Sequence, residues 1–215
     1  MDVIQIIIMV FVFLFAITVH EAAHGWAAFK LGDPTAYHLG RVTLNPIAHI
    51  DPIGTILFPL ILIVTRAPIL FGWAKPVPVN PLNLKNPRRD NLLISAAGPL
   101  SNLTVAFFAF FGILILKSLD PNLFFVKGRF SYLIFLILYY TVMINIILAV
   151  FNLIPIPPLD GSGVLMGFLS DEAAQKYEQI RPYGFIIIII LWMTGIIGRI
   201  FGLIWGIIDF FIKIL

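Results

Sequence analysis

A chain of 215 residues that is 60% hydrophobic, only 12% charged and close to neutral at +3 is no ordinary soluble domain, since such domains run about half apolar and about a quarter charged. The small, scattered positive charge excludes a nucleic-acid binder. The absence of cysteine excludes disulfides, thiolate metal sites and cysteine nucleophiles. What remains is a polytopic membrane protein, one domain over residues 1–215, whose core is helix packing within lipid.

The first helix is predicted over residues 3–29, stopping before Lys30, Gly32, Asp33 and Pro34. At 1.5 Å per residue it is roughly 40 Å long and spans with some tilt. It lacks a basic leader and a small-residue cleavage site, so it reads as a retained helix. A loop region over about 34–88 follows, punctuated by Asn45-Pro46 and Asp51-Pro52. Within it Ile53–Val64 is short for a span, and a re-entrant segment is the alternative. The stretch Phe71 to Val79 holds too much proline for helix. It reads as an extended edge strand, or as an interfacial loop anchored by Trp73 with Lys75 at the headgroups.

A second long helix is predicted over 91–117 and a third over 131–153, the third halted by Pro155, Pro157 and Pro158. A short apolar piece, Gly161–Leu169, precedes a polar stretch. The apolar tail over 183–215, broken at Gly195, Gly198, Arg199 and Gly202, is one tilted helix or two. Asp209, four residues before Lys213, reads as a paired charge. Lys30, Arg41, Arg66, Lys75, Lys85, Arg88 and Arg89 outnumber Lys117, Lys127 and Arg129. Positive charge then places the 30–90 region on the cytoplasmic side and the N-terminus outside, provided Ile53–Val64 re-enters.

The chemistry concentrates in His20-Glu21-Ala22-Ala23-His24. Residues four apart share a helix face, so both imidazoles reach one metal. Glu21 projects beside them, placed to take a proton from the attacking water and return it to the leaving amine. Inside a spanning segment ionisable residues are expensive and functional by default. Counted back from Lys30, His24 lies roughly 9 Å and His20 roughly 15 Å below the helix end. A tetrahedral zinc still needs one more protein ligand besides water. Glu172 and Glu178 lie in the polar stretch; Asp160, just past the prolines, either turns inward as that ligand or caps the helix starting at Gly161. Spacing alone does not choose. His38 and His49 read as interfacial polar residues rather than a second metal site or a pH-responsive gate.

Three blocks, His20–His24 in a first helix, Ser95-Ala96-Ala97-Gly98-Pro99-Leu100-Ser101-Asn102 in a second, and Asn152 with Leu159-Asp160-Gly161 after a third, resemble the site-2 protease family of intramembrane zinc metalloproteases. The likeness is to a compact form, as no stretch is long enough for an inserted PDZ domain. It implies an all-α polytopic membrane protein with a three-helix catalytic core, a re-entrant or β-hairpin loop and one or two C-terminal helices. It also implies one Zn²⁺ per chain on His20, His24 and Asp160, with Glu21 as general base. Asn152 would stabilise the oxyanion, an interhelical hydrogen bond being its alternative. Gly98-Pro99 thins or kinks the second helix, and Asn102 reads as helix glue.

The expected reaction is hydrolysis within a transmembrane segment of a single-span membrane protein, releasing a regulator or clearing a remnant helix. Gly72, Trp73, Ala74, Lys75, Val77 and Val79 would receive the unwound substrate by strand addition. The expected setting is the lipid bilayer of a prokaryotic plasma membrane, with the site near the cytoplasmic face. A transporter would carry inverted repeats, and none is visible. An inactive scaffold would be expected to lose Glu21, which is intact.

Overall fold

The computed structural model describes residues 3–64, 72–119 and 130–214. Arg66, Phe71, Lys127 and Arg129 lie outside these residues, as does the side chain of Lys213. All regular structure among the described residues is helical: α1 (Val3–Lys30), α2 (Thr35–His38), α3 (Phe58–Val64), α4 (Pro87–Leu119), α5 (Phe130–Asn152), α6 (Asp160–Phe168), α7 (Asp171–Glu178), α8 (Gly184–Met193) and α9 (Ile196–Ile214). By length and composition α1, α4 and α5 are each able to cross a membrane.

These three spans form the core. α4 packs on α1, α5 and α6, and α1 also packs on α5. Ile8 and Val12 of α1 interdigitate with Ala109 and Ile113 of α4 and with Phe135, Val142 and Met143 of α5. Fully buried Ala16, Ala28 and Ala149 keep side chains out of the way where helices approach, the packing mode favoured when lipid is as apolar as the helix surface. The outward faces carry exposed Phe11, Phe107, Phe108 and Phe111. An apolar exterior of that kind is a lipid contact, not a defect.

α1 ends by a hydrogen-bonded C-cap. Gly32 takes a positive φ of 110°, its N–H donates to Phe29 O at 3.2 Å, and Asp33 N–H donates to Ala28 O at 2.9 Å. Glycine at the left-handed position satisfies the last carbonyls and turns the chain sharply. α4 begins at Pro87, before the expected Asn91, because proline is well suited to a first helical position. Asp90 then reaches back to the Asn86 N–H at 2.9 Å.

Between α1 and α4 a π-helical turn, Pro52–Leu57, runs into α3. Asp51 starts it, accepting from Ile53 N–H at 3.0 Å and Gly54 N–H at 2.6 Å. The expected edge strand at Gly72–Val79 forms no ladder, and the described residues contain no β-strand. The N–H groups of Trp73 and Lys75 go to Gly54 O (3.1 Å) and His49 O (2.9 Å), and that of Val77 to Glu21 Oε2 (3.0 Å). Donation from every second residue is an extended habit, but the acceptors belong to three separate elements. The tail resolves into two helices. The α7–α8 stretch and α9 are bent by 63°, with Gly195 at φ 75° between them.

Candidate metal centre

His20 and His24 lie one turn apart on the buried face of α1, only 6% and 8% exposed. Their rings meet edge to face at 4.6 Å. α6 brings Asp160 to the same spot, its Oδ2 3.0 Å from His20 Nε2 and its Oδ1 3.3 Å from His24 Nε2. Asp160 is the first residue of α6, and neighbouring Leu159 supplies no side-chain cap. The carboxylate is therefore turned into the protein and is not spent on closing its own helix. Gly161 lets this happen. A Cβ there would sit against the backbone of Leu153 and 2.6 Å from Ile154 O, so only glycine allows the chain to fold back so tightly after α5.

The other ring nitrogens identify what the cluster wants. His24 Nδ1 lies 2.7 Å from the backbone carbonyl of Ile94, and His20 Nδ1 lies 2.6 Å from Asn102 Oδ1. Carbonyl oxygens only accept, so both Nδ1 atoms carry the proton and both Nε2 atoms present lone pairs. Those two lone pairs face each other at 3.0 Å, where at most one proton fits. Asp160 Oδ2 accepts no hydrogen bond although it is buried. An ionised carboxylate and two imidazole lone pairs, all within 4.8 Å of one another, are short of positive charge.

Two nitrogens, one oxygen and room for water are the donor set of a catalytic zinc, and the residues fit that group. Gly98 of α4 makes the room. A Cβ there would lie 2.6 Å from His20 Nε2 and closer still to His24 Nε2.

Beside the cluster opens a cavity of about 430 Å³. His20 and Glu21 line it from α1, Phe151 and Asn152 from α5, and Gly72, Trp73, Ala74 and Pro76 from the loop, while Trp192 of α8 and Phe201 of α9 close it on the tail side. Glu21 thus lines the cavity beside His20, its Oε2 accepting from Val77 N–H. Asn152 reaches the same cavity, and its amide donates to Leu148 O at 3.0 Å on its own helix rather than to a neighbouring one. Of the expected docking residues, Gly72, Trp73 and Ala74 line the cavity. Lys75 and Val77 point their N–H groups into the protein, and Val79 packs against the cluster formed by Ala27, Ala28, Leu84 and Ile94.

Sequence reasoning misread or missed four residues here. Asn102 is more than helix glue, since it bonds His20 directly; its place four residues after Gly98, on the same helix face, was the available signal. Asn145, fully buried in an apolar span, carried the signal that any polar group there is a functional candidate. His49, read only as a polar residue of the interface, is fully buried against the protein, its Nε2 2.9 Å from Thr43 O. Arg41, also buried, grips the carbonyls of Ala48, Lys75 and Pro76, and nothing in its sequence neighbourhood announces that.

The model of peptidase family M50 matches residues 130–193, from α5 through α8. The chain is 39% identical over 186 residues to the "Putative zinc metalloprotease YwhC" of Bacillus subtilis, covering 86% of this chain and 80% of that one. It is 27% identical over 202 residues to the "Putative zinc metalloprotease Rip2" of Mycolicibacterium smegmatis, covering 92% and 71%. The Rip2 protein of Mycobacterium tuberculosis is 26% identical over 197 residues, covering 91% and 71%. No solved structure matches significantly. With a metal-ready cluster set in a bundle of membrane-length helices, these likenesses place the chain: it belongs to peptidase family M50, the site-2 protease family, and is a metalloprotease of the membrane.

Proposed function

We propose that this protein hydrolyses a peptide bond within a transmembrane segment of a single-span membrane protein, using one zinc ion held by His20, His24 and Asp160. The observation that carries the reading is the convergence of those three donors within a spanning bundle, beside Glu21 and the mouth of the cavity. Zinc held there supplies Lewis acidity, which activates water and polarises the scissile carbonyl.

The protein's own groups do the rest. Glu21 accepts a proton from the attacking water and delivers it to the departing amine. Asn152, once its amide swings from Leu148 O into the cavity, donates to the oxygen of the carbonyl under attack. The apolar wall of Phe151, Trp192 and Phe201 keeps bulk water from the site.

The substrate must unwind before its peptide bond is reachable. Extended backbone at Gly72–Pro76 offers it a partner. Residues 73 and 75 turn their N–H groups inward, which leaves Ala74 N–H and O for an incoming chain. The turn into α3 reads as a re-entrant element, too short to cross alone. On that reading the loops between α1 and α4 are cytoplasmic, and the membrane is the plasma membrane of a prokaryote.

The test is reconstitution with single-span substrates in the presence and absence of phenanthroline, alongside Glu21→Gln. Cleavage should vanish with the chelator and fall by at least about 10²-fold in the variant, while zinc stays bound. Zinc-dependent cleavage that survives Glu21→Gln sinks the mechanism. Zinc bound at wild-type affinity by Asp160→Ala sinks the third ligand.

A further inference from the structure

Two buried asparagines join the three spanning helices behind the metal cluster, and the reaction uses neither. Asn102 of α4 and Asn145 of α5 are both fully buried. Asn102 Nδ2 lies 3.1 Å from Ala16 O and 2.8 Å from Asn145 Oδ1, and Asn145 Nδ2 lies 2.8 Å from Thr141 O. The backbone carbonyls of Ala16 and Thr141 can only accept. They fix the direction of every bond in the chain: Asn145 donates to Thr141 O, Asn102 donates to Ala16 O and Asn145 Oδ1, and Asn102 Oδ1 is left facing His20 Nδ1.

We propose that Asn145 and Asn102 are positioning residues whose one-way hydrogen-bond relay locks His20 in the tautomer that offers Nε2 to the metal. His24 needs no such device, because Ile94 O is backbone and accepts in any case. His20 faces an amide, which either orients itself as acceptor or flips and presents its NH₂. A flipped Asn102 would put two donors opposite each other at 2.6 Å or force the ring proton onto Nε2, where it blocks the metal. Two acceptors, Ala16 O and Asn145 Oδ1, hold Asn102 against the flip, and Asn145 acts from a position outside the ligand set and the cavity lining. Outer partners of this kind typically change metal affinity by about 10–100-fold.

The inference rests on the zinc reading above, and the test separates the two. Full-length protein in nanodiscs, with Asn102→Leu, Asn145→Leu and Asn145→Asp, is titrated with zinc against a chromophoric chelator. In parallel, ¹⁵N-histidine spectra of the metal-free proteins at alkaline pH, assigned with His20→Gln, report the tautomer directly. Asn102→Leu and Asn145→Leu should each weaken zinc by about 10–100-fold, and Asn145→Leu should show His20 in mixed tautomers. Asn145→Asp keeps the acceptor that faces Asn102 and should stay within a few-fold of wild type.

Should Asn102→Leu fail to fold, the contrast of Asn145→Leu with Asn145→Asp decides. Wild-type affinity together with an unchanged His20 spectrum in Asn145→Leu overturns the proposal, and so does an Asn145→Asp as weak as Asn145→Leu. If wild-type protein binds no zinc, the zinc reading fails, while the tautomer spectra still judge the relay.

Discussion

The metal cluster and the loop segment Gly72–Asn80 meet at Glu21, yet they are held by opposite means. The cluster is specified by side chains: two imidazoles one turn apart, a carboxylate after a proline break, and a glycine that clears space. The segment is specified by its backbone. Its N–H groups are taken by Gly54 O, His49 O and Glu21, the Trp73 carbonyl by Thr55 Oγ1 at 2.7 Å, and the Lys75 and Pro76 carbonyls by Arg41. Pro76 and Pro78 fall where these inward bonds need no N–H, so the prolines stiffen the segment at no cost in hydrogen bonds. Chemistry is placed by what residues are, and the neighbouring backbone by what distant residues grip. Mutations should separate the two regions cleanly.

The largest effect belongs to the cluster. Gly98→Ala adds one methyl group within 2.6 Å of His20 Nε2 and nearer still to His24 Nε2. Gly98 sits beside fully buried Pro99, so α4 has little freedom to retreat. Displacing ligands by even about 1 Å costs about 10²-fold in rate. Gly98→Ala should lose stoichiometric zinc and at least that much cleavage, with helicity by circular dichroism unchanged. Full zinc and normal turnover in this variant would show that the glycine is there only for helix packing.

The contrast also explains what could be read from sequence. The spans follow from apolar length, and two of their ends from Gly32 and the prolines after Asn152, whereas α4 starts at Pro87, four residues before the expected start. The histidine pair and Glu21 are legible because helical spacing converts four residues of sequence into a shared face. Asp160 was legible only through likeness, because an acid at a helix start is an ordinary cap; the structure shows the chain folding back at Gly161 to aim it inward. The loop reads as an edge strand, or as an interfacial loop, because its prolines exclude helix. Its true partners, a π-helical turn, a histidine carbonyl and an arginine 34 residues away, have no signature in a local window. The tail's two helices were equally undecidable, since a glycine in an apolar run marks a break only when its φ is positive, as at Gly195.

A smaller effect, confined to the loop, should follow from Arg41→Lys. The planar guanidinium reaches the carbonyls of Ala48, Lys75 and Pro76 at once. A single ammonium cannot bridge them with the same geometry. The segment should loosen while the ligands on α1 and α6 stay in place. The expected result is a rise in KM of roughly tenfold, the equivalent of about 1.4 kcal/mol, with zinc content unaltered. Loss of zinc in Arg41→Lys would break the separation between the two regions.

The smallest effect lies where the regions are tied together. Asp33, buried just past the cap of α1, accepts from Thr35 N–H at 3.1 Å, Thr35 Oγ1 at 2.5 Å, Asn80 N–H at 2.7 Å and Asn83 Nδ2 at 2.7 Å. Burial by itself would raise its carboxyl, but these hydrogen bonds outweigh it and hold it below the ordinary 3.8. A carboxylate lowered on folding stabilises the fold above its unfolded value, and that contribution disappears as pH falls through the folded one. Asp33→Asn keeps one acceptor and turns an NH₂ toward groups that donate, costing about 1–2 kcal/mol near neutral pH. Thermal unfolding should therefore separate variant from wild type at pH 7 and bring them together in acid. Zinc affinity should not change, because His24 sits more than a full turn up α1 from the cap. A difference that persists undiminished in acid would mean that Asp33 acts through shape, and that the α1 cap and the end of the segment are joined by packing rather than by charge.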